Sequence, residues 1–123
     1  MIRLRISIAL ALALAVSMLV AGPAAAATVG PPTSLVGVSG NKQVALTWTA
    51  PTVGGNPAIS DYTVEYSSNG GVVWTQSIHS ASTTASITVT GLTNDVAYSF
   101  RVSAVNSDGT GTASATVVVT PLS

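Results

Sequence analysis

GLTNDVAYSFRVSAVN, residues 91–106, is the stretch that decides the fold of this 123-residue chain. Four apolar side chains occupy alternate positions in its second half: Tyr98, Phe100, Val102 and Ala104. The positions between them carry mostly small or polar side chains. Because successive side chains of a strand point to opposite faces of a sheet, this alternation predicts a strand with one buried face.

The rest of the chain, after its first residues, carries the same kind of signal. Short runs rich in Val, Thr, Tyr and Ile are separated by Pro, Gly, Ser and Thr, and no long segment has apolar residues at helical spacing. With the strand described above, the runs at 35–38, 44–49, 61–66, 72–78, 87–89 and 117–120 make seven strands. The sequence therefore predicts an all-β fold, a seven-stranded antiparallel sandwich of two sheets.

Several landmarks of this pattern resemble the fibronectin type III (FN3) family. Trp48 lies in LTWTAP, Tyr62 in ISDYTVEY, and Leu92 precedes Tyr98 by six positions. The likeness covers residues 31–121 and implies an immunoglobulin-like sandwich with a tyrosine corner, in which a phenol hydroxyl bonds the backbone upstream of its own strand. We expect these four residues to belong to the structural core, and Trp48 also alternates in phase with the apolar positions of its strand.

The turn before the corner tyrosine departs from the family pattern. Many FN3 domains carry a proline there, whereas this chain has Asn94, Asp95 and Val96. We expect a less rigid turn and an unchanged topology.

The N-terminal residues are typical of a secretory signal peptide. Arg3 and Arg5 precede an uncharged apolar stretch, residues 6–20, and small residues follow at 24–27. The alternative is an uncleaved anchor, but a spanning helix needs roughly 20 apolar residues, and Gly22-Pro23 interrupts this run. We predict a signal peptide at 1–27, an FN3 domain at 28–123 with its core at 31–121, and a secreted, extracellular protein.

The predicted mature domain has few charges and no cysteine. Two basic residues, Lys42 and Arg101, face four acidic ones, so the net charge is −2. Nucleic acids and acidic membrane surfaces require a concentrated basic face, which two cations do not provide. The absence of cysteine excludes zinc-thiolate sites and disulfides.

Three groups of polar residues are candidates for sites of chemistry. The single histidine, His79, could join a serine and an aspartate, but no serine lies in a Gly-x-Ser-x-Gly elbow, and we interpret His79 as exposed. Asp61 and Glu65 share one face of a strand, where solvated charges are expected rather than a glycosidase pair. Asn106 and Asp108 lack the ligand density of a calcium loop. We expect no catalytic residue, no metal and no cofactor.

Trp74 has two interpretations. It could pack over an edge of the sandwich, which we favour because the chain has one phenylalanine for its core. Alternatively, if it lies on the outer face beside Tyr62 or Tyr66, it could form a platform for a sugar ring.

The resemblance implies a non-catalytic module, bacterial in view of the short alanine-rich leader. In secreted bacterial proteins the family often acts as a spacer, an accessory domain beside polysaccharide-degrading enzymes, or a protein-interaction domain. A direct carbohydrate- or cell-surface-binding module is the first alternative and a small extracellular hydrolase the second. We expect a monomer without stable membrane insertion after cleavage, with a polysaccharide or an extracellular protein as partner.

Overall fold

The computed structural model describes residues 29–123, and every regular element within them is a strand. The strands are β1 (Thr33–Gly40), β2 (Gln43–Thr49), β3 (Asp61–Ser67), β4 (Thr75–Gln76), β5 (Ser86–Val89), β6 (Tyr98–Asn106), β7 (Gly109–Thr110) and β8 (Val117–Val119). No helix in this part of the chain is long and apolar enough to cross a membrane. The predicted signal peptide lies outside the described residues.

The strands form two antiparallel sheets that enclose one core. The first sheet has the order β1-β2-β5. The second has the order β4-β3-β6-β7, with β8 also paired to β6. The predicted all-β sandwich is thereby confirmed.

Period-two alternation explains how both sheets fill the core. In the second sheet, Tyr62 lies opposite Ala104 and Val64 opposite Val102, and all four side chains are buried. In the first sheet, the alternate β2 residues Val44, Leu46 and Trp48 are buried between exposed or half-buried neighbours. Their side chains meet those of β3 and β6 in one continuous cluster.

The predicted fourth strand, residues 72–78, is wrong in length, since pairing is confined to Thr75–Gln76. Side-chain hydrogen bonds hold the turn at the start of this segment in a conformation that is not part of the ladder. The N–H of Gly71 donates to Ser67 Oγ at 3.0 Å, and that of Val73 donates to Asn69 Oδ1 at 3.0 Å. β7, a two-residue strand that pairs with the end of β6, is not among the predicted strands.

The turn that lacks the family proline is tied to the β1–β2 hairpin by side-chain hydrogen bonds. Asn94 Oδ1 accepts from the backbone N–H of Lys42 at 2.8 Å, and Asn94 Nδ2 donates to Asn41 Oδ1 at 2.9 Å. Asp95 has a φ of 67°, which the ring of a proline forbids. Hydrogen bonds across the molecule therefore hold a turn whose backbone excludes proline at its centre.

Candidate functional site

The four residues expected in the core are all buried. Trp48 and Tyr98 are each 7% exposed, Leu92 is 4% exposed and Tyr62 is 2% exposed. The Trp48 and Tyr62 rings meet edge to face, with centroids 5.0 Å apart. Tyr98 Oη accepts a hydrogen bond from the backbone N–H of Thr93 at 2.9 Å.

The outer face of the β3–β6 pair carries an ion pair. Glu65 lies directly opposite Arg101, and Arg101 Nε donates to Glu65 Oε1 at 2.8 Å. The Glu65 side chain is 26% exposed and that of Arg101 is 32% exposed, so the expectation of a solvated charge at Glu65 is wrong. The register of the two strands brings the opposite charges together, and mutual pairing offsets part of their desolvation.

Trp74 lies beside this ion pair and outside the buried core cluster. The Arg101 guanidinium carbon lies 4.1 Å from the centroid of the Trp74 ring, the geometry of a cation–π contact. A Cβ added to Gly71 would lie 3.2 Å from Trp74 Cζ2, so the turn also approaches the indole closely. Trp74 is therefore half-buried at the sheet surface, with one ring face covered by Arg101.

A second polar contact joins β3 to the segment between β4 and β5. His79 Nε2 lies 3.1 Å from Asp61 Oδ1, and the same oxygen accepts from the backbone N–H of Ser82 at 3.1 Å. The His79 side chain is 16% exposed and that of Asp61 is 28% exposed. The expectations of an exposed histidine and a solvated Asp61 are therefore wrong. The two residues are 18 positions apart in the sequence, so their contact has no local sequence signal.

Both ring nitrogens of His79 face acceptors. Nδ1 lies 3.1 Å from the carbonyl oxygen of Ser77, while Nε2 faces the Asp61 carboxylate. A neutral imidazole carries one N–H, so it donates to one of these two acceptors at a time. Among the hydrogen bonds of residues 29–123, none joins His79 to a serine hydroxyl, so the geometry of an activated nucleophile is not assembled there.

The ionisation of Asp61 is coupled to these contacts. Desolvation by burial raises the pKa of Asp61, but hydrogen bonds from the backbone N–H groups of Tyr62 and Ser82, and from His79, lower it further than burial raises it. The net effect is a pKa below the ordinary value for aspartate. The ionised carboxylate is thus the form that the fold stabilises.

A cavity of about 170 Å³ adjoins this cluster. Trp48, Tyr62 and His79 line it together with serine and threonine residues of the segment that precedes β5. The Nε1 atom of Trp48 is buried and has no hydrogen-bond partner within residues 29–123. A larger groove of about 500 Å³ runs between residues 31–35 and 113–117, and uncharged residues alone line it.

Asn106 and Asp108, the residues considered as calcium ligands, form a turn. Asn106 Oδ1 accepts from the backbone N–H of Asp108 at 2.9 Å, and Asn106 Nδ2 donates to the Pro57 carbonyl oxygen at 3.3 Å. In the described part of the chain, no three His, Cys, Asp or Glu side chains lie close enough together to hold a metal ion.

Comparison with known proteins gives a consistent result. The model of the fibronectin type III domain matches residues 30–120. An Fn3-like protein from Clostridium thermocellum is 28% identical, with a TM-score of 0.61 over 75% of this chain and 92% of that one. The domain of human fibronectin type III domain containing protein 3 is 26% identical, with a TM-score of 0.65 over 82% and 93%. A titin fragment is 26% identical, with a TM-score of 0.68, and its match covers 76% of this chain and 32% of the fragment.

Proposed function

The chain belongs to the fibronectin type III family, and we propose that it works as a non-catalytic secreted module, a spacer, accessory or protein-interaction domain. The observation that carries this proposal is the pairing, within the fold, of the four ionisable side chains considered as candidates for chemistry or lying beside them. Asp61 is bonded to His79 and Ser82, and Glu65 is bonded to Arg101. Groups engaged in this way stabilise the fold and are not free to act on a substrate.

The hydrolase alternative receives no support from this arrangement. A general base must accept a proton from a nucleophile, and both nitrogens of His79 already face acceptors within the chain. Hydrolysis of ester, peptide and glycoside substrates by the purified protein is the direct test. Turnover above background that disappears in His79→Ala would overturn the non-catalytic assignment.

Secretion of the mature domain is the second part of the proposal. It rests on the order of charged, apolar and small residues in the first 27 positions. The intact mass of the exported protein tests it, and we expect a chain that begins at Thr28 or Ala27. A membrane-bound species that retains Met1 would overturn both cleavage and the extracellular location.

Association with polysaccharide degradation is the third part, and it follows from the family resemblance. Retention on insoluble cellulose, chitin and xylan distinguishes a spacer from a direct carbohydrate-binding module. Because Arg101 covers one face of Trp74, we expect weak retention or none. Strong retention that is lost in Trp74→Ala would make direct carbohydrate binding the better description.

The expected partners are a polysaccharide or an extracellular protein, and the expected state is a monomer. Val72, Val73 and Ile78 are 80%, 61% and 88% exposed around β4, which supports contact with another protein at this edge. Size-exclusion chromatography with light scattering tests the monomeric state. A stable dimer would indicate that the chain associates with a second copy of itself and not with a different protein.

A further inference from the structure

The 170 Å³ cavity between the sheets has an apolar, aromatic floor. Four side chains form that floor: Trp48, Tyr62, Val64 and Ile87. A cavity of about 150 Å³ is sufficient to hold benzene. This space therefore matches a single six-membered ring and is too small for two.

The rim of the cavity is polar. Ser82, Thr84 and Ser86 line it and are exposed, so their hydroxyls stand between the apolar floor and solvent. The rim segment is fastened at Ser82, whose backbone N–H donates to Asp61 and whose Oγ accepts from the backbone N–H of Thr84 at 3.1 Å. An apolar floor with a few polar groups at its edge is the usual composition of a site for a small polar ring.

Trp48, one of the four floor residues, also carries a hydrogen-bond donor that has no partner in the described part of the chain. Trp48 is 7% exposed, and its Nε1–H group is buried without an acceptor in the described part of the chain. A buried donor without a partner is uncommon in folded proteins and is destabilising. Trp48 lines the cavity, so a ring bound there contacts the indole, and a small shift of the indole would let the Nε1–H group donate to an oxygen acceptor on that ring.

The charges around the cavity restrict the ligand to an uncharged molecule. No lysine, arginine, aspartate or glutamate is among the lining residues, and both nitrogens of His79 face acceptors on Asp61 and Ser77. We propose that this cavity binds one uncharged six-membered ring that carries oxygen acceptors, such as a single sugar unit or a cyclic alcohol. This binding activity goes beyond the spacer role and does not depend on it.

The indole N–H resonances of the exported, ¹⁵N-labelled protein provide the test. The chain has two tryptophans, so the Trp74→Phe variant assigns the Trp48 signal. We expect D-glucose, N-acetyl-D-glucosamine or cyclohexanol to shift the Trp48 resonance saturably while the Trp74 resonance stays in place. A response to the sugars alone identifies a sugar unit, and a response to cyclohexanol alone identifies a cyclic alcohol. No shift with any probe up to about 100 mM, far above a millimolar Kd, would overturn the proposal, as would a shift confined to Trp74.

A matched pair of variants on β5 locates the site. Ser86→Leu fills the rim of the cavity. Thr88→Leu introduces the same side chain two residues along the same strand face, at a residue that does not line the cavity. We expect at least tenfold weaker binding in Ser86→Leu and unchanged binding in Thr88→Leu. Should Ser86→Leu fail to fold, Thr84→Leu makes the equivalent obstruction. Unchanged binding in the obstructed variant would overturn the site, while retention on insoluble polysaccharides tests the proposed function separately.

Discussion

Tyr98 Oη accepts a hydrogen bond from the backbone N–H of Thr93 at 2.9 Å, and this bond closes the crossover that leads into β6. The Tyr98 ring is buried at the same time and meets the Tyr66 ring edge to face, with centroids 5.9 Å apart. Next to Thr93, the backbone N–H of Leu92 donates to the Lys42 carbonyl oxygen at 3.1 Å. Tyr98 therefore fixes a turn and fills the core with one side chain.

The Tyr98→Phe variant should lose stability because it removes the acceptor of the Thr93 N–H group while it keeps the ring. A donor left unpaired in a partly buried place costs about 1 to 3 kcal/mol. Chemical denaturation of the variant and the parent measures the difference in the free energy of unfolding.

The matched control for that measurement is Tyr66→Phe. Tyr66 is half-buried, and no hydrogen bond of its hydroxyl occurs within residues 29–123, so its loss should be much smaller. Equal, near-zero losses in both variants would contradict a stabilising role for the corner bond.

Removal of the Trp48 side chain tests the core. Trp48 is 7% exposed and packs against Tyr62, so Trp48→Ala should cost roughly 3 to 5 kcal/mol through lost burial and a new cavity. Trp74→Ala deletes the same side chain outside the core cluster and should cost less. Thermal unfolding of both variants compares the two sites, and equal melting temperatures would contradict the different burial of the two indoles.

Alternation of apolar and polar residues was enough to predict the fold, because burial of one face fixes the period of a strand. β2 shows this most clearly, since its buried residues alternate with exposed or half-buried ones. The prediction that β6 has a single buried face is wrong, because Ser99 and Ser103 are buried along with its apolar positions. The pattern failed at residues 72–78, where Ser67 and Asn69 side chains bind backbone groups of the turn. Local hydrogen bonds of this kind compete with the hydrogen bonds between strands, and the spacing of apolar residues does not reveal them.

The polar contacts of the candidate site were harder to predict. The Glu65–Arg101 pair depends on the register of β3 against β6, which two separate strand patterns do not specify. His79 reaches Asp61 through a segment without regular structure, so no spacing rule places them together. The position of Trp74 under Arg101 likewise follows from the tertiary arrangement.

Replacement of Asp61 by asparagine should change how stability depends on pH. The folded-state pKa of Asp61 lies below its ordinary value, so the ionised group stabilises the fold above the unfolded-state pKa, and this stabilisation disappears as pH falls through the folded-state pKa. We expect Asp61→Asn to be less stable than the parent at neutral pH, with the difference shrinking in acid. Urea denaturation at a series of pH values measures this, and Asp108→Asn is the control. A difference that grows toward acid would contradict the direction assigned to Asp61.

The approach of the turn to Trp74 leads to a prediction about two adjacent glycines. Gly70 and Gly71 both have positive φ, 73° and 88°, so alanine is strained at either position. A Cβ at Gly70 meets no atom within 4 Å, whereas a Cβ at Gly71 would lie 3.2 Å from Trp74 Cζ2. Gly71→Ala should therefore cost about 1 kcal/mol more than Gly70→Ala, because the indole must shift to make room for the new methyl group. The same two substitutions made in a Trp74→Ala background complete a double-mutant cycle, in which the excess should vanish. If the excess persists without the indole, its origin is backbone strain at Gly71 and not contact with Trp74.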